Sequence, residues 1–589
     1  MEEKMDNAMI VKLSDDIVSP LAMGTHMNYE CVKSGKTMLR EYVGKWGLPE
    51  PFMASMLDDE MLSEACRKEG IAVSCYTKFE RMAILTAVRA LRQTDIMPDA
   101  DDVLFIIATT KGNVELLDEQ HKHLYPASRL GLLEAARQVS AWFRNPNTPL
   151  VVCNACISGL AAQLEAIRAL SSGRYRYAVV IGADVLSPFI VSGFQSLQAM
   201  SSYTCRPFDE ERTGLNLGEA AACIVYGLAE EGSVRTGSQW YAMEGAIRND
   251  AFHLSGVSKK AEGAYRALKT VCEGQDVSRF GFINVHGTAT MFNDEMEAVA
   301  IARMGLHSLP VCGLKGYYGH TLGASGVLET LISMEALDEH IVLPTKGYEH
   351  IGVSREINIS NMQQEVDGTA FLKMMSGFGG GNAVMCFGKG KTMYGINEKV
   401  PERFTVTHTV RLTEREVAVD GKGIPATGQG MQLLKSLYHQ YIGNYPKFYK
   451  MDPLCKLGFI ASELLLNAES ESEGVVRFEP RDDRAVVLGG RNASLCADSI
   501  FQQSIQDMNN FYPSPSAFVY TLPNMVTGEI AIRNLYHGET SYFVQDGPGD
   551  MKCLMTQVLY SSGTQSVVGG WIDLENPERF EAILYIIKR

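Results

Sequence analysis

The sequence predicts an α/β fold in which sheets and helices form layers. Between apolar runs, hydrophobic residues recur every three or four positions, as in FERMAILTAVRALRQ from Phe79 and LAAQLEAIRALSSG from Leu160, which is typical of amphipathic helices. Strands that alternate with helices indicate a layered α/β architecture. The predicted buried strands are bounded by glycine and serine and begin at Val103 (VLFIIAT), Leu150 (LVVCNA), Ala178 (AVVIGAD) and Ala221 (AACIVYGLA).

The last third of the chain repeats the pattern of the first part. DDVLFIIATTKGNVELLDE from Asp101 resembles DDRAVVLGGRNASLCADSI from Asp482, and LYPASRLGLLEAARQVSAWF from Leu124 resembles FYPSPSAFVYTLPNMVTGEI from Phe511. A helix that ends in SSG before VVIGAD has a counterpart in SSGTQSVVGGWID from Ser561. Chance similarity of two α/β stretches is the alternative, but three matches in the same order favour a repeat. We expect a duplicated half-domain.

A change in composition after a glycine-rich loop predicts a domain boundary. The cluster Gly377–Gly381 and the strand from Ala383 are followed by the polar stretch MYGINEKVPERF, which contains a proline and several charges. We place the boundary near residue 400, between a domain of residues 1–400 and a half-domain of residues 401–589.

The composition describes a folded, acidic protein. Of 589 residues, 46% are hydrophobic and 21% are charged, which predicts several buried cores. The formal net charge of -15 and the absence of a Lys/Arg run argue against nucleic-acid binding, although a local basic patch for an acidic protein partner is compatible with them. The 13 cysteines follow no paired or metal-binding spacing, no apolar stretch reaches the roughly 18 to 20 residues of a membrane span, and the N-terminus lacks a leader pattern. We therefore expect a protein of the reduced cytoplasm.

Cys156 is a candidate nucleophile. It lies in VVCNACISGLAAQLEA, where a strand ends, small residues form a tight turn and a helix begins. Unpaired N–H groups and the positive end of the helix dipole favour a thiolate at such a position. A cysteine among apolar residues is more often an inert core residue, so this motif by itself leaves both interpretations open.

Two histidines occupy similar places in the predicted fold. His286 lies in FINVHGTATMFNDEMEAVA and His320 in LKGYYGHTLGASGVLETLISM, and each follows a strand-to-loop transition. Either histidine alone is more often a structural residue. Because ligand sites form where strands of an α/β sheet end, all three side chains are expected to converge at one sheet edge.

In combination, the motifs resemble those of β-ketoacyl synthases of the thiolase superfamily. Cys156 matches the nucleophile turn, His286 the HGT motif, and Lys315 with His320 the KxxxxH pair. RPFDEERTGLNLGEAAA and the loop GFGGGN also follow family motifs, with small-residue exchanges there and in HGTAT. The likeness spans residues 8–390. It implies a thiolase-like layered αβαβα fold from two related halves, at about residues 1–230 and 231–400, to which the C-terminal copy adds another thiolase-like half-domain.

The resemblance implies a decarboxylative Claisen condensation. Cys156 would take the growing acyl group from the phosphopantetheine of an acyl carrier protein and hold it as a thioester. His286 and His320 would donate Nε–H hydrogen bonds to the carbonyl of a malonyl thioester while carbon dioxide leaves. The resulting enolate would attack the acyl group, whose oxygen is expected at the backbone N–H groups of Cys156 and Phe378, with Gly379 in the same gating loop.

The resemblance also implies supporting residues. Lys315 and Glu297 would form a buried ion pair that shapes the histidine environment, and Asp294 would support the loop; a surface pair of small value is the alternative. No metal and no bound organic cofactor are expected, since phosphopantetheine arrives on the carrier protein.

The C-terminal copy is predicted to lack a nucleophile. The repeat places Cys156 opposite Asp546, or opposite Gln545 if one residue is gapped, and neither side chain forms a thioester. Such a copy resembles the chain-length-factor-like partners of ketosynthases in aryl polyene and related polyketide pigment pathways. The resemblance implies docking on the dimer face of the catalytic domain, in cis or in trans, within a homodimer or a paired chain, where the copy would shape the acyl tunnel. A decayed duplication that only stabilises the fold is the alternative.

Other functions compete with this interpretation. Ordinary fatty-acid elongation would use the same residues. A non-elongating scaffold or loading decarboxylase would normally have lost Cys156, and the CxGxG pattern of thiolases is absent.

Overall fold

Three βα units follow one another along the chain. The computed structural model describes residues 9–229, 239–390 and 403–589, which we call the first, second and third unit. The predicted divisions near residues 230 and 400 lie in 230–238 and 391–402, outside the described residues.

Each unit has the same order of elements. The first unit contains β1 (Met9–Val18), α1 (Lys78–Leu91), β2 (Val103–Ala108), α2 (Leu132–Trp142), β3 (Leu150–Val152), α3 (Ser158–Ser171), β4 (Tyr177–Asp184) and β5 (Ala220–Ala229). The second unit contains β6 (Trp240–Asn249), α4 (Glu262–Cys272), β7 (Phe280–Asn284), α5 (Met291–Arg303), β8 (Val311–Cys312), α6 (Ser325–Asp338), β9 (Ala370–Gly377) and β10 (Gly381–Lys389). The third unit contains β11 (Thr405–Thr413), α7 (Pro453–Glu473), β12 (Arg484–Gly490), α8 (Met525–Asn534), β13 (Thr540–Val544), α9 (Met551–Leu559), β14 (Ser566–Asn576) and β15 (Arg579–Lys588).

Additional elements decorate this framework. The helices are Thr25–Lys33, Asp59–Lys68, Pro188–Ser196, Lys315–Tyr318, Met431–Tyr441, Leu495–Ile505 and Pro515–Val519. The short strands are Arg40–Tyr42, Phe52–Ser55, Leu217–Gly218, Ile341–Val342, Gln364–Glu365, Val417–Val419 and Lys422–Gly423.

The strands pair in the same order in each unit. The order is β1-β5-β4-β2-β3 in the first sheet, β6-β10-β9-β7-β8 in the second and β11-β15-β14-β12-β13 in the third. Four strands of each sheet run in the same direction, and one strand, β5, β10 or β15, is antiparallel to both of its neighbours. Fully buried sequences such as VLFIIA in β2 fit parallel strands that are covered on both faces. The predicted layered α/β fold is confirmed, and the third unit has the same strand order as the other two.

The third sheet extends the first one through β3, the strand that leads to the predicted nucleophile. β3 and β13 pair antiparallel, with Val152 opposite Phe543. Beyond the strand, Asn154 Oδ1 accepts a hydrogen bond from the N–H of Tyr542 at 2.7 Å. The first and second sheets meet at Val11 and Tyr241.

The middle layer is formed by α3 and α6, whose first turns touch. A Cβ atom on Gly159 would lie 2.6 Å from Gly323 O, and one on Gly326 would lie 2.3 Å from Leu160 N. These two glycines are required because the helix backbones approach too closely for any side chain. The contact brings the N-terminus of each helix, and the turn before it, to the same place.

The third unit shares its core with the first. One apolar cluster combines Phe105 and Val179 with Leu488 and Ile586, so the same buried side chains stabilise both units. Charged pairs also cross this boundary, and their side chains are buried: Lys111 Nζ lies 2.8 Å from Asp498 Oδ1, and Arg168 Nη2 lies 2.6 Å from Glu539 Oε2. Removing one partner of such a pair costs about 3 to 5 kcal/mol, so these pairs fix how the units fit together.

None of the helices in the described ranges combines the length and apolar character that crossing a bilayer requires.

Candidate active site

Cys156 lies in a sharp turn between β3 and α3. The strand ends at Val152, Ala155 has a positive φ of 49°, and residues 155–157 form one turn of 3₁₀ helix before α3 begins. Such a backbone conformation is costly for an alanine and is retained where the surrounding structure fixes it. The turn directs the sulfur away from the sheet, toward the second unit.

His286 and His320 converge on this sulfur from the second unit. His286 follows the end of β7, and His320 follows β8 and the short helix Lys315–Tyr318. The two ring centroids are 5.0 Å apart at an interplanar angle of 83°. Ligand atoms of Cys156, His286 and His320 all lie within 4.8 Å of one another. The structure therefore brings the three predicted side chains together.

Both imidazoles are neutral. Burial, followed by the charge of Lys315, lowers the pKa of His286 and of His320 well below the usual value of 6.5. His320 Nδ1 accepts the N–H of Leu322 at 3.2 Å, which places the ring proton on Nε2. That Nε2 is buried and has no hydrogen-bond partner among the described residues. His320 is thus a prepared donor for a bound oxygen atom.

The resting sulfur is a thiol, contrary to the expectation that its place at a helix N-terminus would favour the thiolate. Burial raises the pKa of Cys156 from 9.0 to about 12. Lys315 and the backbone N–H groups of Cys156 and Phe378 lower the pKa, but they do not outweigh the desolvation. The reaction must therefore remove the thiol proton when the sulfur reacts.

The predicted oxyanion and gate residues divide into two kinds. The N–H groups of Cys156 and Phe378 both act on the sulfur, and Phe378 lines the cavity in front of it. The N–H of Gly379 instead donates to Leu254 O at 2.6 Å. Gly379 is therefore part of the loop backbone and does not supply an oxyanion donor.

The partner predicted for Lys315 was wrong. Lys315 Nζ lies 2.7 Å from Glu329 Oε1 and 2.6 Å from His286 O, and Glu329 also binds Lys373 at 2.7 Å. Glu297 could not serve this purpose, because its carboxylate already accepts the N–H groups of His286 and Gly287 at 2.7 and 2.8 Å. Lys315 acts on the histidines through backbone contact and charge and does not line the cavity.

Asp294 supports the histidine loop as its position predicted. One carboxylate oxygen accepts the N–H of Thr288 at 3.0 Å and the other accepts the N–H of Phe208 at 2.7 Å. Burial raises the pKa of Asp294 to about 6 and, together with the Asp294 charge, that of Glu297 to about 7. Both carboxyls hold backbone rather than substrate.

A cavity of about 380 Å³ opens in front of the three side chains. It is lined by Cys156, His286, His320 and Phe378 at its base and by Met291 and Phe292 farther out. Apolar walls with a few converging polar groups are typical of a site for a small organic substrate. The donor atoms of Cys156, His286 and His320 are also close enough together to hold a metal ion. Such an ion would occupy the sulfur that a thioester needs.

A second, small cavity of about 20 Å³ is also lined by Cys156. Cys156 and Phe378 line it at one end, and the third unit closes it with Phe518, Thr521 and Leu522. Phe518 packs against Gly193, where an added Cβ would be 2.1 Å from its ring. The third unit therefore reaches to within one side chain of the nucleophile.

The turn after β13 differs in its side chains from the turn after β3 that carries Cys156. Gln545 is buried, whereas Asp546 is exposed and binds Arg137 at 2.7 Å. A one-turn helix at Pro548–Asp550 precedes α9, just as one turn precedes α3, and its middle residue is Gly549. None of these residues carries a thiol, whichever of them is taken as the counterpart of Cys156.

Sequence reasoning missed several side chains of this region. Glu329 and Lys373 were detectable, because a charge inside an apolar helix (GVLETLIS) or an apolar strand (AFLKMMSG) is expected to have a buried partner. Asn524 and Phe518 had no local signal, since they reach the site only through the docking of the third unit.

Comparison with known proteins agrees with the geometry. Models described as "Beta-ketoacyl synthase, N-terminal domain" and "Beta-ketoacyl synthase, C-terminal domain" match residues 57–230 and 242–349. The chain is 29% identical to nodulation protein E of Rhizobium sp. (strain N33), over 53% of this chain and 82% of that one. It is 27% identical to the tetracenomycin polyketide synthase ketoacyl synthase alpha subunit of Streptomyces glaucescens, over 62% of this chain and 92% of that one.

One solved structure resembles all three units. The PfaC keto synthase–chain length factor superposes with a TM-score of 0.72, and the match covers 99% of this chain and 78% of that one. At 12% identity, this likeness shows a shared fold alone.

Proposed function

We propose a specific reaction for this chain. The chain is a ketosynthase of the thiolase superfamily, and it therefore transfers acyl groups in a decarboxylating condensation. Cys156 carries an acyl group, and a malonyl unit on an acyl carrier protein extends it by two carbons. The convergence of Cys156, His286 and His320 within 4.8 Å is the observation that carries the proposal.

In the first step, the acyl group moves from the carrier to Cys156. The sulfur attacks the thioester carbonyl, the bond to the phosphopantetheine sulfur breaks, and the carrier leaves as a free thiol. The thiol proton of Cys156 needs an acceptor, because its pKa is about 12. His320 Nδ1 already accepts the N–H of Leu322, so His286 takes this proton and passes it to the departing sulfur.

In the second step, a malonyl thioester occupies the 380 Å³ cavity. The carbon–carbon bond to the carboxylate breaks, carbon dioxide leaves, and the bonding electrons form an enolate. The enolate oxygen accepts the Nε2–H of His320 and a hydrogen bond from His286. The enolate carbon attacks the acyl carbonyl, whose oxygen lies at the N–H groups of Cys156 and Phe378. The carbon–sulfur bond to Cys156 then breaks, the sulfur leaves as a thiolate that takes up a proton from solvent, and the β-ketoacyl thioester stays on the carrier.

Neutral histidines suit this role. An imidazolium would lose its proton to the enolate and quench it, whereas a neutral N–H stabilises the negative charge without transferring the proton. Burial and Lys315, which keep both pKa values low, therefore serve the chemistry directly.

The third unit acts as a chain-length factor joined in cis. It pairs with β3, as a dimer partner would, and Phe518 closes the space behind Cys156. A space of about 20 Å³ holds about one water-sized sphere, so long acyl groups require Phe518 and Leu522 to move. We place the enzyme in aryl polyene or related polyketide pigment synthesis; ordinary fatty-acid elongation would use the same steps and differ in product length.

Intact-mass measurement tests the acyl-enzyme. Incubation with acyl-carrier protein should add one acyl group to the wild-type chain, and cerulenin should block this addition. Cys156→Ala should abolish it, whereas Cys153→Ala, three residues away and fully buried, should not. An acyl group that remains on the Cys156→Ala protein would refute the proposal.

Product analysis tests the tunnel. Phe518→Ala should shift products toward longer chains, and Gly193→Ala, which pushes the ring of Phe518 into the tunnel, should shift them toward shorter ones. Phe478→Ala removes a ring of the same unit that is 42% exposed, and it should change nothing. Identical product lengths in all three variants would contradict a chain-length role.

A further inference from the structure

The third unit contacts the gating loop, which joins β9 to β10 and contains Phe378 and Gly379, through Asn524, the residue before α8. Its Nδ2 donates to Phe378 O at 2.8 Å, and only 6% of the residue is exposed. Its Oδ1 is buried and has no partner among the described residues. The side chain therefore makes one directed contact, and that contact is to the loop.

Phe378 connects this contact to the nucleophile. Its N–H acts on the sulfur of Cys156, while its carbonyl is held by Asn524. On the N-terminal side of Phe378, Gly377 lies against the nucleophile turn, where an added Cβ would be 3.2 Å from Cys156 N. One residue thus touches the catalytic turn at one end and the third unit at the other.

The packing around this residue leaves little freedom. Gly379 has φ +90°, and a Cβ added to it would lie 2.7 Å from Asn524 Nδ2. A Cβ added to Gly528 of α8 would lie 2.7 Å from Gly379 O. Asn249 holds the same Gly379 O at 2.8 Å and is itself hydrogen-bonded to Thr540. The loop is therefore clamped between the second and third units.

We infer that Asn524 is a positioning residue for the condensation, because it fixes the peptide whose N–H forms part of the oxyanion site. The third unit then contributes to the rate of the chemical step as well as to chain length. This inference rests on the proposed acyl-thioester at Cys156.

Asn524→Ala tests this role in the full chain. Complete loss of an oxyanion donor costs about 100- to 1000-fold in kcat, and a displaced donor costs less, so we expect a fall of about 10- to 100-fold. KM for malonyl-carrier protein should stay within about twofold, because the malonyl cavity is not lined by Asn524. Activity is expressed per titratable Cys156 thiol, which removes any effect of partial unfolding.

A second readout does not depend on turnover. The N–H of Phe378 favours the thiolate, so the pH profile of Cys156 alkylation by iodoacetamide should move to higher pH in Asn524→Ala. Gly528→Ala, which presses on the same loop from the neighbouring helical turn, should move it in the same direction. A purely structural role would reduce the amount of reactive protein and leave the profile in place.

Asp482→Asn is the control. It removes the charge from a contact of 2.8 Å between Arg266 of the second unit and Asp482 of the third unit, away from the loop, and it should leave kcat and the alkylation profile unchanged. Wild-type values of kcat and of the profile in folded Asn524→Ala would overturn the inference. Failure of the wild-type chain to form an acyl-enzyme would overturn the proposed function instead, while the alkylation profile would still test Asn524.

Discussion

The turns after β3 and β13 have the same topology, but they differ in their side chains and in what covers them. The first is covered by the second unit: Gly326 lies against Gly159, and His320 faces the sulfur of Cys156. The second lies at the surface, where Asp546 pairs with Arg137. No further unit covers the β13 turn within the described ranges. A single βα unit therefore supplies a turn, and a second unit packed on it makes that turn a reaction site.

The largest effect is expected on stability, when the buried charges of Lys315, Lys373 and Glu329 are unbalanced. Glu329→Gln leaves the buried ammonium groups of Lys315 and Lys373 without their counter-ion. We expect the free energy of unfolding to fall by about 3 to 5 kcal/mol in a denaturant titration. Glu349→Gln, at a side chain that is 68% exposed, provides the control. Equal stability of the two variants would mean that the buried network does not hold the site.

Removing the His320 donor that faces the covered turn should be nearly as costly. His320→Ala deletes the Nε2–H that faces the cavity, so we expect kcat for condensation to fall by about 100- to 1000-fold. Acylation of Cys156 should be affected less, because His286 is the proposed proton acceptor in that step. Separate measurement of acyl-enzyme formation and product release checks this order. A larger loss in acylation than in condensation would reverse the assigned roles.

The two histidines should also make stability depend on pH. Their pKa values are lowered in the folded protein, so their contribution is complete above about pH 6.5 and decreases as the pH falls through the lower folded values. Unfolding titrations between pH 8 and pH 5 should show this loss. The double variant His286→Asn/His320→Asn should lose less stability over the same range. A parallel decline in the variant would assign the effect to other groups.

The smallest effect is expected at the exposed turn. Asp546→Ala removes a surface ion pair worth about 0 to 1 kcal/mol, and it should leave condensation unchanged. Thermal unfolding and kcat measured together check both expectations. A large fall in kcat would show that the β13 turn acts on the active site, and the two turns would then not differ in function.

The sequence allowed the convergence of the three candidate side chains to be predicted because each follows a strand. Cys156, His286 and His320 come after β3, β7 and β8, and the strand ends of packed α/β units converge for general reasons. The ion pair of Lys315 could not be predicted in the same way. Glu297 and Glu329 both lie on helices near the histidines, and only their backbone contacts decide which carboxylate is free to bind an ammonium group.

The sequence by itself determined the order of the elements, the internal repeat and the choice of Cys156 as the candidate nucleophile, because these depend on hydrophobic period and on residue chemistry. The tertiary structure decided the charge state of Cys156, the partner of Lys315 and the contacts of Asn524 and Phe518 with the site. These properties depend on burial and on distances between residues far apart in the chain. They exist only once β13 has paired with β3 and the third unit has covered the loop beside the nucleophile.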